Sequence, residues 1–351
     1  MILLLCTFFL AFSVSICLTP LVRRMAFKYD VCAKPNHRTI HKKATPQLGG
    51  ISIFVAFFIG ILVILFYKDA QFDALRKEGL VFLLAGSFIL LLGIYDDIKG
   101  ANCYHKFFVQ IFAGIVVILF GYKITAVTNP FGDPILLRIF SIPFTLLWIV
   151  GITNALNLID GLDGLAAGIS LGVSCIMLFI SLWFGNLISA FPAAILAGAI
   201  GGFLVYNFNP AKIFLGDSGS LLIGFLLACF SINGTFRSDS AVAIYIPIVV
   251  LGIPIIDTML AIIRRMRKGL HLFKADKEHI HHRLLKLGLS HKQAVLLLNG
   301  VSYFWGIVGF TIAILDNRYS LLFLLLVFIT IIIGLKRLGF TKYFFVGNIK
   351  K

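Results

Sequence analysis

Apolar runs of about 20 residues follow one another along the chain, separated by short polar stretches. A run of that length crosses the ~30 Å hydrocarbon core of a bilayer as one helix. The runs fall at 2–22, 48–67, 79–98, 107–121, 138–156, 165–184, 187–206, 218–233, 241–263, 294–315 and 319–335, which predicts eleven helices. They are continuous and lack the alternation of a barrel strand. The first run starts at Met1 with no basic stretch before it and no A-x-A site after it, and reads as a retained helix rather than a signal peptide. With no repeat period and no soluble segment, the expected fold class is an all-α polytopic membrane protein. Residues 1–351 form one domain in this reading, with basic loops at 23–47 and 264–293.

Composition agrees. Of the 351 residues, 60% are hydrophobic and 13% charged, against about 45–50% and about 25% in soluble domains. That excludes an ordinary soluble enzyme, a disordered chain and a disulfide-rich secreted domain. The six cysteines contain no CxxC pair, so neither a disulfide framework nor a zinc site is indicated. The net charge of +16 reads as membrane orientation rather than nucleic-acid binding, because Lys and Arg collect on the cytoplasmic face. If eleven spans alternate, one side carries 24 Lys and Arg and the other only seven. The N-terminus is then expected outside and the C-terminus in the cytoplasm.

Acids are scarce, fifteen in all, and ionisable groups at membrane depth tend to face a cavity and do work. Asp96 and Asp97 end the third run. Adjacent carboxylates repel unless a cation is shared between them; Mg²⁺ on a phosphate is one such cation, and helix-end solvation beside Lys99 is the simpler alternative. Asn154, Asn157, Asp160 and Asp163 recur every three residues, a spacing that stacks polar groups on one helix face. Gly161 and Gly164 beside them permit sharp turns or a close ligand. The Gly216-Asp217-Ser218-Gly219-Ser220 string can cap a helix and offer N–H groups to a phosphate. His279, His281 and His282 beside Arg283 read as a polyanion clamp, while Asp276 and Glu278 nearby leave zinc open. The stretch from His41 through Lys42 and Lys43 to Gly49-Gly50 reads, taken alone, as a headgroup anchor. Asp257, after Pro254, is the clearest polar residue inside a run. The clusters share the basic side. That favours an enzyme at the membrane surface, with one soluble anion and one lipid as substrates, over a transporter with polar groups at mid-membrane.

Five motifs carry a resemblance, in the order HKKATPQLGG, YDDIK, NALNLIDGLDGL, NFNPAKIFLGDSGS and HIHHRLL. From Pro35 to about Leu287 the chain resembles the polyprenyl-phosphate N-acetylhexosamine-1-phosphate transferases, the membrane family that includes MraY, WecA and TagO. The resemblance implies that a UDP-linked amino sugar gives its sugar-1-phosphate to undecaprenyl phosphate and releases UMP. It implies Mg²⁺ as cofactor, with Mn²⁺ as a substitute. Asp217 then corresponds to the principal metal ligand, with Asp97 and Asp160 on the metal side. Asp96, Asp97, Asp160, His281 and His282 make up the implied catalytic group. Asp96 deprotonates or orients the acceptor phosphate, and Lys106, with Gln110 completing a Lys-x-x-x-Gln pattern, grips it. Asn157 corresponds to a pyrophosphate contact. Asp163, Asn207 and Phe214 resemble the uridine pocket, with Phe214 stacked on uracil and Lys43 or Lys42 reaching the nucleotide. His279 and Arg283 fall near the donor phosphates or sugar.

The His-Ile-His-His-Arg string and the eleven spans fit the WecA and TagO branch, so UDP-GlcNAc is the expected donor. Another UDP-N-acetylhexosamine, such as a 6-deoxy sugar or the muramyl pentapeptide, is the near alternative, and a lipid or solute transporter the distant one. The expected place is the cytoplasmic face of the bacterial plasma membrane, at the first membrane step of an envelope polysaccharide such as teichoic acid or O-antigen. A homodimer is the assembly the family implies, and nucleic acid is not an expected partner.

Overall fold

In the computed structural model the described residues are 1–33, 44–67, 72–127, 135–233, 245–271, 278–314 and 317–340. Lys42, Lys43 and Asp276 lie outside them. The helices are α1 (Ile2–Lys28), α2 (Gly49–Phe66), α3 (Asp73–Lys99), α4 (Cys103–Leu119), α5 (Ser141–Ile159), α6 (Leu165–Trp183), α7 (Leu187–Asn207), α8 (Gly216–Asn233), α9 (Tyr245–Val250), α10 (Gly252–Arg267), α11 (Ile280–Lys286), α12 (His291–Ile314) and α13 (Asn317–Arg337). Two small antiparallel ladders join Cys32–Ala33 to Thr45–Pro46 and Ala126–Val127 to Ile135–Leu136. Among the described residues, seven helices are long and apolar enough to cross a membrane: α1, α2, α3, α5 with the turn before it, α6, α7 and α12. α4 and α8 are shorter apolar helices. The protein is an all-α, multi-pass membrane protein.

The ninth apolar run, expected as one helix, is broken at Leu251 into α9 and α10. Pro254 supplies the reason. A proline inside a helix has no N–H to give and its ring clashes with the carbonyl four residues back, here Val250, where α9 stops. Several helices extend past their apolar runs, among them α1, which continues to Lys28, and α3, which starts at Asp73. α4 begins four residues before its run because Asn102 caps it, its side chain accepting the His105 N–H at 2.9 Å.

α8 is the centre of the bundle, packed by α2, α3, α5 and α6. Ser218 to Ile232 are all buried, as suits a helix that is apolar all round. α1 and α7 approach through small residues: a Cβ on Gly198 would meet the Phe8 carbonyl oxygen at 2.3 Å, and one on Gly202 the Phe12 carbonyl oxygen at 2.4 Å. Short turns make successive helices antiparallel. That brings the C-terminal ends of α3, α5 and α7 and the N-terminal ends of α4, α8 and α12 to one end of the bundle, where the polar motifs meet.

Candidate active site

The site is built on the first turn of α8. Gly216 enters it at φ +72°, a conformation that favours glycine; a Cβ there would lie 2.5 Å from the Asp97 carboxylate. Asp97 accepts the Asp217 N–H at 2.8 Å and the Ser218 N–H at 3.1 Å. The helix N-terminus that the sequence offered to a phosphate therefore already holds a carboxylate, with its charge on the positive end of the helix dipole. Gly50 on α2 and Gly93 on α3 press the same turn, since a Cβ on either would come within 2.3 Å of Ser218 backbone. The Gly49 and Gly50 N–H groups donate to the Phe214 and Leu215 carbonyls at 3.1 and 3.2 Å. The Gly-Gly pair thus docks the segment that leads into α8.

On this platform Asp217 faces outward, its side chain 32% exposed. Lys106, from the first turn of α4, reaches Asp217 at 2.5 Å and also pairs with Asp96. The Ala101 N–H also donates to Asp96, at 2.5 Å. Asn157 donates from α5 to Asp217 Oδ1 and to Ser220 Oγ, both at 2.9 Å. One turn earlier, Asn154 donates to buried Gln110 at 2.6 Å. The three-residue spacing does stack these amides on one face of α5, and the Lys-x-x-x-Gln pattern places both residues against that face.

Asp160 ends α5 and begins the turn to α6. Burial holds its carboxyl well above the usual carboxylate range, and the charges of Asp217, Asp97 and Asp163 push it further. Asp163 and Asn207, expected at uridine, are buried ties of the neighbouring loop. Asp163 Oδ2 accepts from Asn209 Nδ2 at 3.1 Å and from the Ala211 N–H at 3.0 Å. Asn207 accepts the Gly164 N–H at 3.1 Å and donates to the Ile213 carbonyl at 3.0 Å. They fix the chain that carries Phe214, which stays partly exposed beside α8. The Phe214 N–H is held on the Pro46 carbonyl at 2.8 Å.

The histidine segment docks on the Asp160–Gly164 turn. His281 is buried, and a Cβ on Gly161 would lie 2.4 Å from its Nε2. Neither ring nitrogen has a hydrogen-bond partner among the described residues. Burial lowers its pKa to about 3, helped by neighbouring His282, His279 and His291 against the pull of Asp257. The His281 and His282 rings are 4.3 Å apart and the His279 and His281 rings 5.8 Å. His279 is held by Asp257, which also receives the Ile280 N–H.

Arg283, expected near the donor, points toward the end of α13. Its guanidinium donates to the Leu338 carbonyl at 2.6 Å and to Glu278 at 3.1 Å, and lies 3.8 Å over the Phe340 ring. These contacts tie α11 to the end of α13 rather than to the acid cluster. His291 was not anticipated: its Nε2 accepts the Asp163 N–H at 2.8 Å across 128 residues, and nothing in its local sequence signals that. An apolar cavity of about 510 Å³ lies between α10, α11, α12 and α13, lined by residues such as Leu284, Trp305 and Leu335, with no carboxylate or histidine among the described residues that line it.

Residues 79–235 match the family model for glycosyl transferase family 4. Over 337 residues the chain is 37% identical to a probable undecaprenyl-phosphate N-acetylglucosaminyl 1-phosphate transferase of Bacillus subtilis, covering 93% of this chain and 92% of that relative. It is 36% identical over 319 residues to a decaprenyl-phosphate N-acetylglucosaminephosphotransferase of Mycolicibacterium smegmatis, covering 82% of this chain and 76% of the relative. An undecaprenyl-phosphate alpha-N-acetylglucosaminyl 1-phosphate transferase of Escherichia coli is 29% identical over 285 residues, with 79% and 75% covered.

Proposed function

The chain belongs to glycosyl transferase family 4, and on that premise we propose that it moves GlcNAc-1-phosphate from UDP-GlcNAc to undecaprenyl phosphate. The relatives' names carry the transfer and the polyprenyl phosphate acceptor. The supporting observation in this chain is the convergence of Lys106, Asp96, Asn157 and Asp217 from four helices on one helix N-terminus.

An oxygen of the acceptor phosphate attacks the β-phosphorus of the donor. A new P–O bond forms, the bond to the oxygen bridging the α- and β-phosphates breaks, and UMP leaves with that oxygen. Both reactants are polyanions, so the protein's task is to neutralise and align them. Lys106 is the fixed cation for the acceptor phosphate, and Asp96, 10% exposed and beside it, orients that phosphate. Asn157 offers its amide to the pyrophosphate, and Phe214 stacks on uracil. Asp97 holds the α8 turn in place.

Mg²⁺ belongs to the proposal, with Asp217 and Asp160 as the groups to hold it. The donor chemistry fits, because Mg²⁺ is usually bound by one or two carboxylates and completed by phosphate oxygens and water. Among the described residues no group of three or more His, Cys, Asp or Glu forms a cage. The chemistry the ion supplies when bound is charge neutralisation on the departing phosphate.

The reading extends to eleven spans in a single domain, counting α9 with α10 as one. The basic end of the bundle, with the site, then faces the cytoplasm of a bacterial plasma membrane, and the protein works as a homodimer. The test is a donor panel of UDP-GlcNAc, UDP-GalNAc and UDP-MurNAc-pentapeptide, offered to purified protein with undecaprenyl phosphate and with or without Mg²⁺. UMP from UDP-GlcNAc alone, dependent on lipid and metal, supports the donor, the acceptor and the metal together. Release with another donor keeps the chemistry and changes the sugar, and release in EDTA removes the metal.

A further inference from the structure

Asp257 sits in α10 at 1% exposure, 22 residues before His279. A carboxylate buried in an apolar helix is costly unless it is fully partnered. Both oxygens of Asp257 are spent on the histidine segment. Oδ1 accepts the Ile280 N–H at 2.8 Å and Oδ2 lies 2.8 Å from His279 Nδ1. The first bond supplies a cap that α11 lacks from its own sequence, since the His279 side chain makes none. The second decides which nitrogen carries the proton.

We propose that Asp257 is a positioning residue that seats α11 and locks His279 with its proton on Nδ1. The proposal deepens the transferase reading and rests on it for its kinetic part. An ionised carboxylate only accepts, so the shared proton belongs to the ring. Neutral His279 then keeps Nε2 bare, ready to accept a proton or a hydrogen bond from a reactant. If Nε2 takes up a proton, Asp257 balances the charge at the far side of the ring. The same seat holds His281, two residues after His279, against the Gly161 turn beside Asp160, with the His282 ring 4.3 Å from that of His281.

Asp257→Asn separates this role from packing. The amide keeps the size. With its oxygen on the Ile280 N–H, its NH₂ faces Nδ1, which must then be bare, and the proton moves to Nε2. Both contacts survive while the tautomer inverts. A wrong-tautomer change of this kind costs about 10⁴ in kcat in a Ser-His-Asp triad. Here kcat is expected to fall at least about 100-fold, with KM for both substrates within about threefold of wild type. His279→Ala and the double variant Asp257→Asn/His279→Ala are expected to share one kcat within about twofold, because Asp257 acts through His279. Nitrogen NMR of histidine-labelled protein, with His279→Ala to assign the signal, should show Nδ1 protonated in wild type and Nε2 protonated in Asp257→Asn.

Three results overturn the proposal: an Asp257→Asn enzyme with wild-type kcat, losses that multiply in the double variant, or a bare Nδ1 in wild type. The wild-type spectrum reads the tautomer even if Asp257→Asn does not fold. It also does so if wild type transfers nothing, an outcome that would instead count against the transferase reading.

Discussion

Gly93→Ala places one methyl group where the site is assembled. The new Cβ would lie 2.3 Å from Ser218 Cα, 2.5 Å from Ser218 N and 2.6 Å from the Asp217 carbonyl oxygen. All three are backbone atoms, so no side chain can swing aside. Restoring ordinary contact moves α3 and α8 apart by about 1 Å, and overpacking of this kind costs about 1–3 kcal/mol. Asp97 lies one turn further along α3 and holds the Asp217 and Ser218 N–H groups at 2.8 and 3.1 Å. Separation of that size stretches both bonds beyond useful length, and losing even one adds about 1.5–3 kcal/mol. A misplacement of about 1 Å at the reacting groups costs about 100-fold in rate. Thermal unfolding in detergent and UMP release read the two effects separately. Gly86→Ala is the control on the same helix, because its Cβ would meet Leu222 Cδ1 at an ordinary 3.5 Å. That variant should keep wild-type activity. A Gly93→Ala protein with wild-type Tm and rate would refute the reasoning that the α3–α8 contact sets the site.

Lys106→Met removes the cation between Asp96 and Asp217 and should lower kcat/KM at least about 100-fold, chiefly through the lipid acceptor; steady-state titration of each substrate checks this, and a loss confined to UDP-GlcNAc would move Lys106 to the donor side. Phe214→Ala should raise KM for UDP-GlcNAc about tenfold with little change in kcat, consistent with one lost base stack of about 1–3 kcal/mol; an unchanged KM would argue against stacking. His281 titrates near 6.5 when unfolded and near 3 when folded, so its neutral burial favours the fold fully above pH 6.5 and progressively less as pH falls toward 3. At pH 5 the deficit is about 2 kcal/mol, and the Tm of His281→Asn should vary less than that of wild type between pH 7 and 5.

The apolar runs located the helices because in a bilayer every backbone group must be paired within its own segment. Their ends were less legible. Apolarity stops where the membrane surface begins, whereas a helix continues until a cap or a turn ends it. Asn102 extends α4 backward far enough to put Lys106 on its first turn, and Pro254 divides the ninth run through a backbone effect that hydropathy does not register. That the motif strings meet at one end of the bundle was readable from the sequence, but the contacts each residue makes were not. Asp96 and Asp97 are neighbours in sequence, yet one meets a lysine and the other a helix N-terminus. Asp257 stood out only as a lone acid in an apolar run, and its partner lies beyond a long basic loop. Arg283 shared a motif with the histidines, but its place on the helix turns it toward Leu338.

Position-specific labelling tests the central claim most directly. UDP-GlcNAc carrying ³²P in its β-phosphate would be given to the purified protein with undecaprenyl phosphate and Mg²⁺. Sugar-phosphate transfer at the Asp217 site predicts that the label enters the lipid phase in step with release of unlabelled UMP. It also predicts that Asp217→Asn abolishes both. Label left in UDP while sugar reaches the lipid would mean that the sugar alone is transferred, and wild-type label transfer by Asp217→Asn would place the chemistry elsewhere.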